Sequence, residues 1–133
     1  MKVHGRCHCG KVTYEAEIAP GGAGICHCTD CQQLSGSAYR VVVRATSFTL
    51  TGAAPKVYIK TANSGTKRAQ AFCPNCGSPI YAASPENPQS WSLRWGSIVE
   101  RAQLYPPTRE IWCCSAMPWA RHLQGMAQAQ RQG

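Results

Sequence analysis

The sequence predicts a mainly β domain. Three observations carry that expectation. Apolar and polar residues alternate strictly over residues 11–18, short runs rich in Val, Ile, Tyr and Phe follow one another, and turn residues separate them. At most two short helices fit the pattern, and no internal repeat is present.

In chain order, Val12, Tyr14, Ala16 and Ile18 alternate with Thr13, Glu15 and Glu17, the period of a half-buried strand. Pro20-Gly21-Gly22-Ala23-Gly24 then reads as a loop. Residues 29–34 suit a short helix, with Thr29 or Asp30 at its N-cap and Gly36 as its stop. Val41-Val42-Val43 marks residues 39–45 as a strand covered on both faces. Residues 48–51 and 57–61 read as two further strands around a turn at 52–55. A turn at 62–65 leads to a strand over 67–72, which runs into Cys73-Pro74-Asn75-Cys76-Gly77, and residues 80–83 leave as its partner. After a loop at 85–88, residues 92–99 and 110–112 read as strands. From Gln124 the chain is rich in Gln, Ala and Arg without an apolar stripe. The domain is therefore read at residues 1–122, with a frayed or disordered tail at 123–133.

A chain of 133 residues suits one domain. Leu, Ile, Val and Phe are few, so the core needs a supplement of the kind small domains draw from disulfides or metals. Nine cysteines supply it. The N-terminal residues lack the apolar run of an export signal, and no stretch approaches the ~20 apolar residues of a membrane span. These features predict a cytoplasmic protein without a membrane partner. In that reducing compartment clustered cysteines serve metals or catalysis rather than disulfides. The formal charge is +8, and seven thiolates on two Zn²⁺ lower it by three. Lys and Arg are scattered, Lys67-Arg68 being the only adjacent pair, which speaks against nucleic acid as a partner.

The cysteines fall into three clusters. Cys7-His8-Cys9 is a CxC, Cys26-His27-Cys28-Thr29-Asp30-Cys31 a CxCxxC, and Cys73-Pro74-Asn75-Cys76-Gly77 a CPxCG knuckle. Such spacing directs neighbouring sulfurs at one ion, and zinc accepts up to four thiolates in a tetrahedron without redox activity. Spacing leaves two pairings open. Cys28 and Cys31 can join Cys73 and Cys76, or Cys7 and Cys9 can join Cys73 and Cys76, with Cys26, Cys28 and Cys31 left as a three-thiolate site.

The runs GxCxCGxVxYE at residues 5–15, CHCTDCQxxxGS at 26–37, RxxxFCPxCGSPI at 68–80, GSI at 96–98 and EIW…PW at 110–119 resemble the glutathione-dependent formaldehyde-activating enzyme (GFA) family. The resemblance spans about residues 3–120. It implies a β-tent fold of stacked antiparallel sheets and the second pairing. A structural zinc would sit on Cys7, Cys9, Cys73 and Cys76, and a catalytic zinc on Cys26, Cys28 and Cys31. It also implies a carbon–sulfur lyase that joins formaldehyde to glutathione as S-(hydroxymethyl)glutathione. Its partners would be a glutathione-like thiol and an aldehyde. Centromere protein V is similar to the same family and serves chromatin-associated roles, so a zinc-stabilised binding module is the alternative.

Cys113 and Cys114 have no counterpart in that pattern. Read as strand residues, they point to opposite faces, so at most one can meet a given metal. His8 and His27 lie between cysteines of a CxC and point away from the metal, His27 being a candidate outer-shell base. His4 and His122 read as surface residues. Arg40, Arg44, Lys67, Arg68 and Arg94 are candidates for the carboxylates of glutathione, against the simpler reading of solvated strand faces. Trp91, Trp95, Trp112 and Trp119 read as core.

Overall fold

The computed structural model describes residues 1–132. Eight strands are present: β1 (Lys2–Arg6), β2 (Thr13–Cys26), β3 (Arg40–Leu50), β4 (Lys56–Thr61), β5 (Lys67–Phe72), β6 (Pro79–Ala83), β7 (Trp91–Arg94) and β8 (Glu110–Ile111). One helix, α1, spans Thr29–Ser35. The hydrogen-bonded order is β1-β2-β3-β7-β6-β5-β4, all antiparallel, and the short β8 runs parallel to β2. The mainly β expectation holds.

Four strands differ from the sequence pattern: β3 runs unbroken through the segments read as separate strands at 39–45 and 48–51, and β1, β2 and β7 depart as follows. β1 has a single large apolar residue, Val3, and carries no readable alternation; it forms because β2 offers it a partner from Thr13 to Glu17. The segment read as a loop at residues 20–24 lies within β2. There the register against β3 shifts between Ile18 and Ala23, so the Pro-Gly-Gly stretch is a bulge in a strand that continues to Cys26. Gly21 takes φ 63°, and a Cβ on Gly22 would meet the Ala19 and Arg44 carbonyl oxygens at 2.9 and 3.1 Å. The strand pattern at residues 92–99 stops early. At Trp95–Ser97 the chain enters a 3-10 turn, secured by the Ser97 hydroxyl donating to the Arg94 carbonyl at 2.8 Å.

The path curls on itself. β1 and β5 stand five strand steps apart, which in a flat sheet is about 24 Å. Yet Cys9, just after β1, and Cys73, just after β5, bring their sulfurs within 3.7 Å. The two ends of the sheet therefore face each other across the core. That core holds Val3, Val12, Tyr14, Val43, Ile80, Leu93 and Ile98, with Cys7 and Cys73 buried among them. Phe48 is its aromatic hub, with ring centroids 4.8 Å from Tyr14 and Tyr81 and 6.0 Å from Trp91. Ala16, Ala45, Ala69, Ala71, Ala82 and Ala83 are buried too. Small side chains let the layers close, which is how a chain poor in large aliphatics still packs.

Trp112 and Trp119 are 59% and 61% exposed, contrary to a core role. Trp112 adopts φ 57° and ends β8, turning the chain into successive 3-10 turns at Cys113–Ser115 and Pro118–Arg121. Beyond Arg121 the described residues contain no helix or strand. The tail read at 123–133 ends at Gly133, which lies outside the described residues.

Candidate metal centres

The sulfurs of Cys7, Cys9, Cys73 and Cys76 all lie within 4.8 Å of one another, and so do those of Cys26, Cys28 and Cys31. Of the two pairings that spacing left open, the fold brings together the second.

The four-sulfur group is built from two tight knuckles. In the first, the Cys7 N–H donates to the Val12 carbonyl at 3.0 Å and Gly10 turns through φ 83°. In the second, the Cys73 N–H donates to the Ser78 carbonyl at 2.9 Å and Gly77 turns through φ 79°. The glycine after each pair supplies the left-handed turn that other residues resist. Backbone N–H groups aim at the sulfurs: Val12 at Cys7 (3.3 Å), Asn75 and Cys76 at Cys73 (3.4 and 3.5 Å). Sulfur separations of 3.5 Å (Cys7–Cys9) and 3.7 Å (Cys9–Cys73) approach the ~3.8 Å edge of a tetrahedron with ~2.3 Å zinc–sulfur bonds. Ser78 joins the knuckles. Its hydroxyl accepts the His8 N–H at 3.0 Å and so is free to donate to Cys76 Sγ at 3.2 Å. That contact holds the Cys76 thiol down to about 5, and the Lys11 backbone N–H lowers Cys9. Lowered thiols supply the thiolates that metals bind.

The three-sulfur group is more local. Cys26 ends β2, and Cys28 and Cys31 flank the start of α1. The helix cap is Cys28, rather than Thr29 or Asp30: its backbone is extended and its sulfur accepts the Cys31 N–H at 3.2 Å. Gly36 closes the other end in the left-handed region. Burial pushes Cys31 up to about 12 and raises Cys26. At Cys28 burial is outweighed by the Cys31 N–H, the neighbouring sulfurs and the Lys60 charge, so this thiol lies below its usual range. Lys60 also pins α1 to β4 through Asp30 at 2.7 Å. An all-sulfur donor set of this compactness fits a soft divalent ion such as zinc.

Neither CxC histidine joins a sulfur group. His27 is buried; its Nε2 meets Glu110 Oε1 at 2.8 Å, and its ring stands edge-on to Tyr39 at 5.6 Å. Its Nδ1 has no partner. His8 is exposed, and His4, though half-exposed, binds Glu100 through both its backbone N–H and its ring. Cys113 and Cys114 lie on a 3-10 turn, not a strand; both are exposed and neither belongs to a sulfur group. Gln32 ties that turn to α1, its amide donating to the His27 and Ser115 carbonyls at 2.9 and 3.1 Å.

The sequence profile described as glutathione-dependent formaldehyde-activating enzyme, GFA, matches residues 2–115. The chain belongs to the GFA family. No curated protein sequence matches it. Among solved structures, the crystal structure of a Rhodobacter sphaeroides protein is similar at a TM-score of 0.59 and 21% identity, over 83% of this chain and 99% of that one. A likeness at that identity speaks for a shared fold.

Of the basic residues this GFA-family chain offers, the fold separates two. Arg44 and Lys67 are exposed, whereas Arg40 and Arg94 are 7% and 6% exposed. Both guanidiniums converge on the Gln70 side-chain oxygen, Arg94 at 2.7 Å and Arg40 at 3.4 Å. Sequence reasoning missed Gln70 and Ser78. A lone polar residue on a strand has no signal until its neighbours across the sheet are known.

Proposed function

We propose that this GFA-family protein is a zinc-dependent carbon–sulfur lyase acting on a thiol–aldehyde adduct, by preference forming and cleaving S-(hydroxymethyl)glutathione. The observation that carries the reading is the contrast between the two sulfur groups. One has a complete set of four donors, while the other has three, with no fourth cysteine, histidine or carboxylate grouped with them among the described residues. Four donors suit a closed structural site, and three leave a tetrahedral position for substrate. A zinc ion held by Cys26, Cys28 and Cys31 would supply that open position and an electrostatic preference for the substrate's sulfur as thiolate.

The chain's residues hold the rest in place. Cys28 fixes the start of α1 through its cap, and Asp30–Lys60 fixes the helix to the sheet. Glu110 and Gln32 hold the ring and carbonyl of His27, so the segment from Cys26 to Cys31 has little freedom. In the reaction the substrate thiol gives up its proton and its sulfur attacks the aldehyde carbon; the C–S bond forms as the C=O π bond opens, and the resulting alkoxide oxygen takes up a proton; cleavage reverses each step. Partners are then a glutathione-like thiol and an aldehyde, and the proposed setting is the cytoplasm. No helix among the described residues is long and apolar enough to cross a membrane.

The test is adduct formation from glutathione and formaldehyde, followed by NMR exchange with zinc-replete protein. Acceleration by wild type and its loss in Cys28→Ser, with the circular dichroism spectrum unchanged, is the expected result. Serine is itself a good helix cap, so this variant keeps α1. Equal rates for wild type and Cys28→Ser would overturn the lyase reading. Salt-sensitive DNA binding would then favour the binding-module alternative.

A further inference from the structure

Arg40 and Arg94 present an imbalance that the fold leaves unresolved. Strand register places them together. Cys26 stands opposite Arg40, Val42 opposite Arg94, and the row Arg44–Ser92–Ala82–Gln70–Tyr58 crosses the same sheet face. Cys26, Arg40, Arg94, Gln70 and Tyr58 therefore share one face, opposite the one that carries Val43 and Leu93 into the core. A cavity of about 390 Å³ opens there, lined by Leu34, Arg40, Tyr58, Gln70, Phe72 and Arg94 among others.

Two buried guanidiniums are costly unless charge meets charge. Among the described residues neither has an ion-pair partner. Five of the six acidic residues are committed elsewhere: Glu15 to Lys2, Glu17 to the N-terminus, Asp30 to Lys60, Glu100 to His4 and Glu110 to His27. The sixth, Glu86, lies exposed in a loop. One neutral amide oxygen thus serves both cations. Burial and the Arg40 charge bring Arg94 down to about 9. The nearby sulfurs only partly offset the pair, since three thiolates around a divalent ion carry a single net negative charge. One positive charge remains.

We propose that Arg40 and Arg94, braced by Gln70, form a buried anion subsite that takes a carboxylate of the thiol substrate beside the three-cysteine group. Arginine suits this role because its planar fork meets carboxylate oxygens two at a time. The assignment rests on the lyase reading only for the identity of the anion's carrier.

The probe is S-methylglutathione, which keeps both carboxylates but has no free thiol, with its diethyl ester as control. Binding to zinc-replete protein is measured by calorimetry for wild type, Arg94→Gln and Gln70→Glu. Wild type should bind the acid at least tenfold more tightly than the ester, and both variants should lose at least tenfold for the acid alone. Gln70→Glu should also unfold at higher temperature than wild type, because its new carboxylate neutralises the pair from within while it blocks the subsite. Equal affinity of acid and ester for wild type overturns the proposal, as does undiminished binding by Gln70→Glu. The wild-type comparison stands even if Arg94→Gln folds poorly. Turnover of glutathione without acid-dependent binding sinks the subsite and leaves the lyase; acid-dependent binding without turnover does the reverse.

Discussion

Gly5 opens the GxCxCG run, and the structure turns it into a quantitative prediction. It pairs with Tyr14 across β1 and β2, and the Tyr14 ring lies directly over it. A Cβ at Gly5 would fall 1.9, 2.0 and 2.5 Å from Cζ, Cε1 and Cε2 of that ring. Carbon–carbon contact needs about 3.5 Å, so Gly5→Ala demands a ring displacement on the order of 1.5 Å. The ring has nowhere to go. Its hydroxyl lies 2.6 Å from Ser97 Oγ, and Phe48 packs on it at 4.8 Å. Because Ser97 already donates to the Arg94 carbonyl, Tyr14 must be the donor in that bond. Overpacking costs about 1–3 kcal/mol and a lost buried hydrogen bond about 1. Together they set the expected loss at about 3 kcal/mol. For a domain of this size that lowers Tm by about 10 °C. Urea and thermal unfolding in zinc-containing buffer measure it, and a cycle with Tyr14→Leu isolates the cause. Leu lacks all three clashing atoms, so in that background Gly5→Ala should cost under ~0.5 kcal/mol. An equal cost in both backgrounds, or a loss below ~1 kcal/mol in wild type, would refute the steric argument.

Three further outcomes are expected. On the proposed reading of one zinc per sulfur group, Cys76→Ser should lose one zinc and most of its folded yield, because the four-sulfur group ties β1 to β5 and structural zinc binding is coupled to folding; unchanged zinc content and unfolding temperature would count against it. The Cys113→Ser/Cys114→Ser double variant should keep both metals and its activity, since the two exposed thiols stand apart from the sulfur groups; metal analysis that finds one zinc gone would close the open site. Stability should also fall in alkali. Burial pushes Tyr14 up to about 12 from an ordinary 10, so its contribution is present in full below pH 10 and is lost as pH rises towards 12. Tyr14→Phe should lack that component, which amounts to about 2 kcal/mol between unfolding experiments at pH 9 and at pH 11.5.

The legible part of this protein is its local chemistry. Alternation at Val12, Tyr14, Ala16 and Ile18 marks a strand because side chains reverse face at every residue. CxC, CxCxxC and CPxCG mark candidate metal knuckles because sulfurs so spaced converge without help from distant chain. Those signals sufficed for the β class, for the seven cysteines whose sulfurs the fold gathers into two groups, and for the family. Tertiary structure decided the remainder. Period-two alternation says that a residue has a face but not which face it meets. Only the curl of the sheet brings Cys7 and Cys9 to Cys73 and Cys76, and only the register of β3, β7, β6 and β5 sets Arg40 and Arg94 on Gln70. β1 depends on the partner β2 provides, and the Pro20–Gly22 break is a bulge because β3 continues alongside it. Trp112 and Trp119 look like core residues in isolation, but a left-handed turn at Trp112 carries them to the surface. Each of these facts depends on pairs of residues far apart in the chain, and such pairings form collectively, so no single segment encodes them.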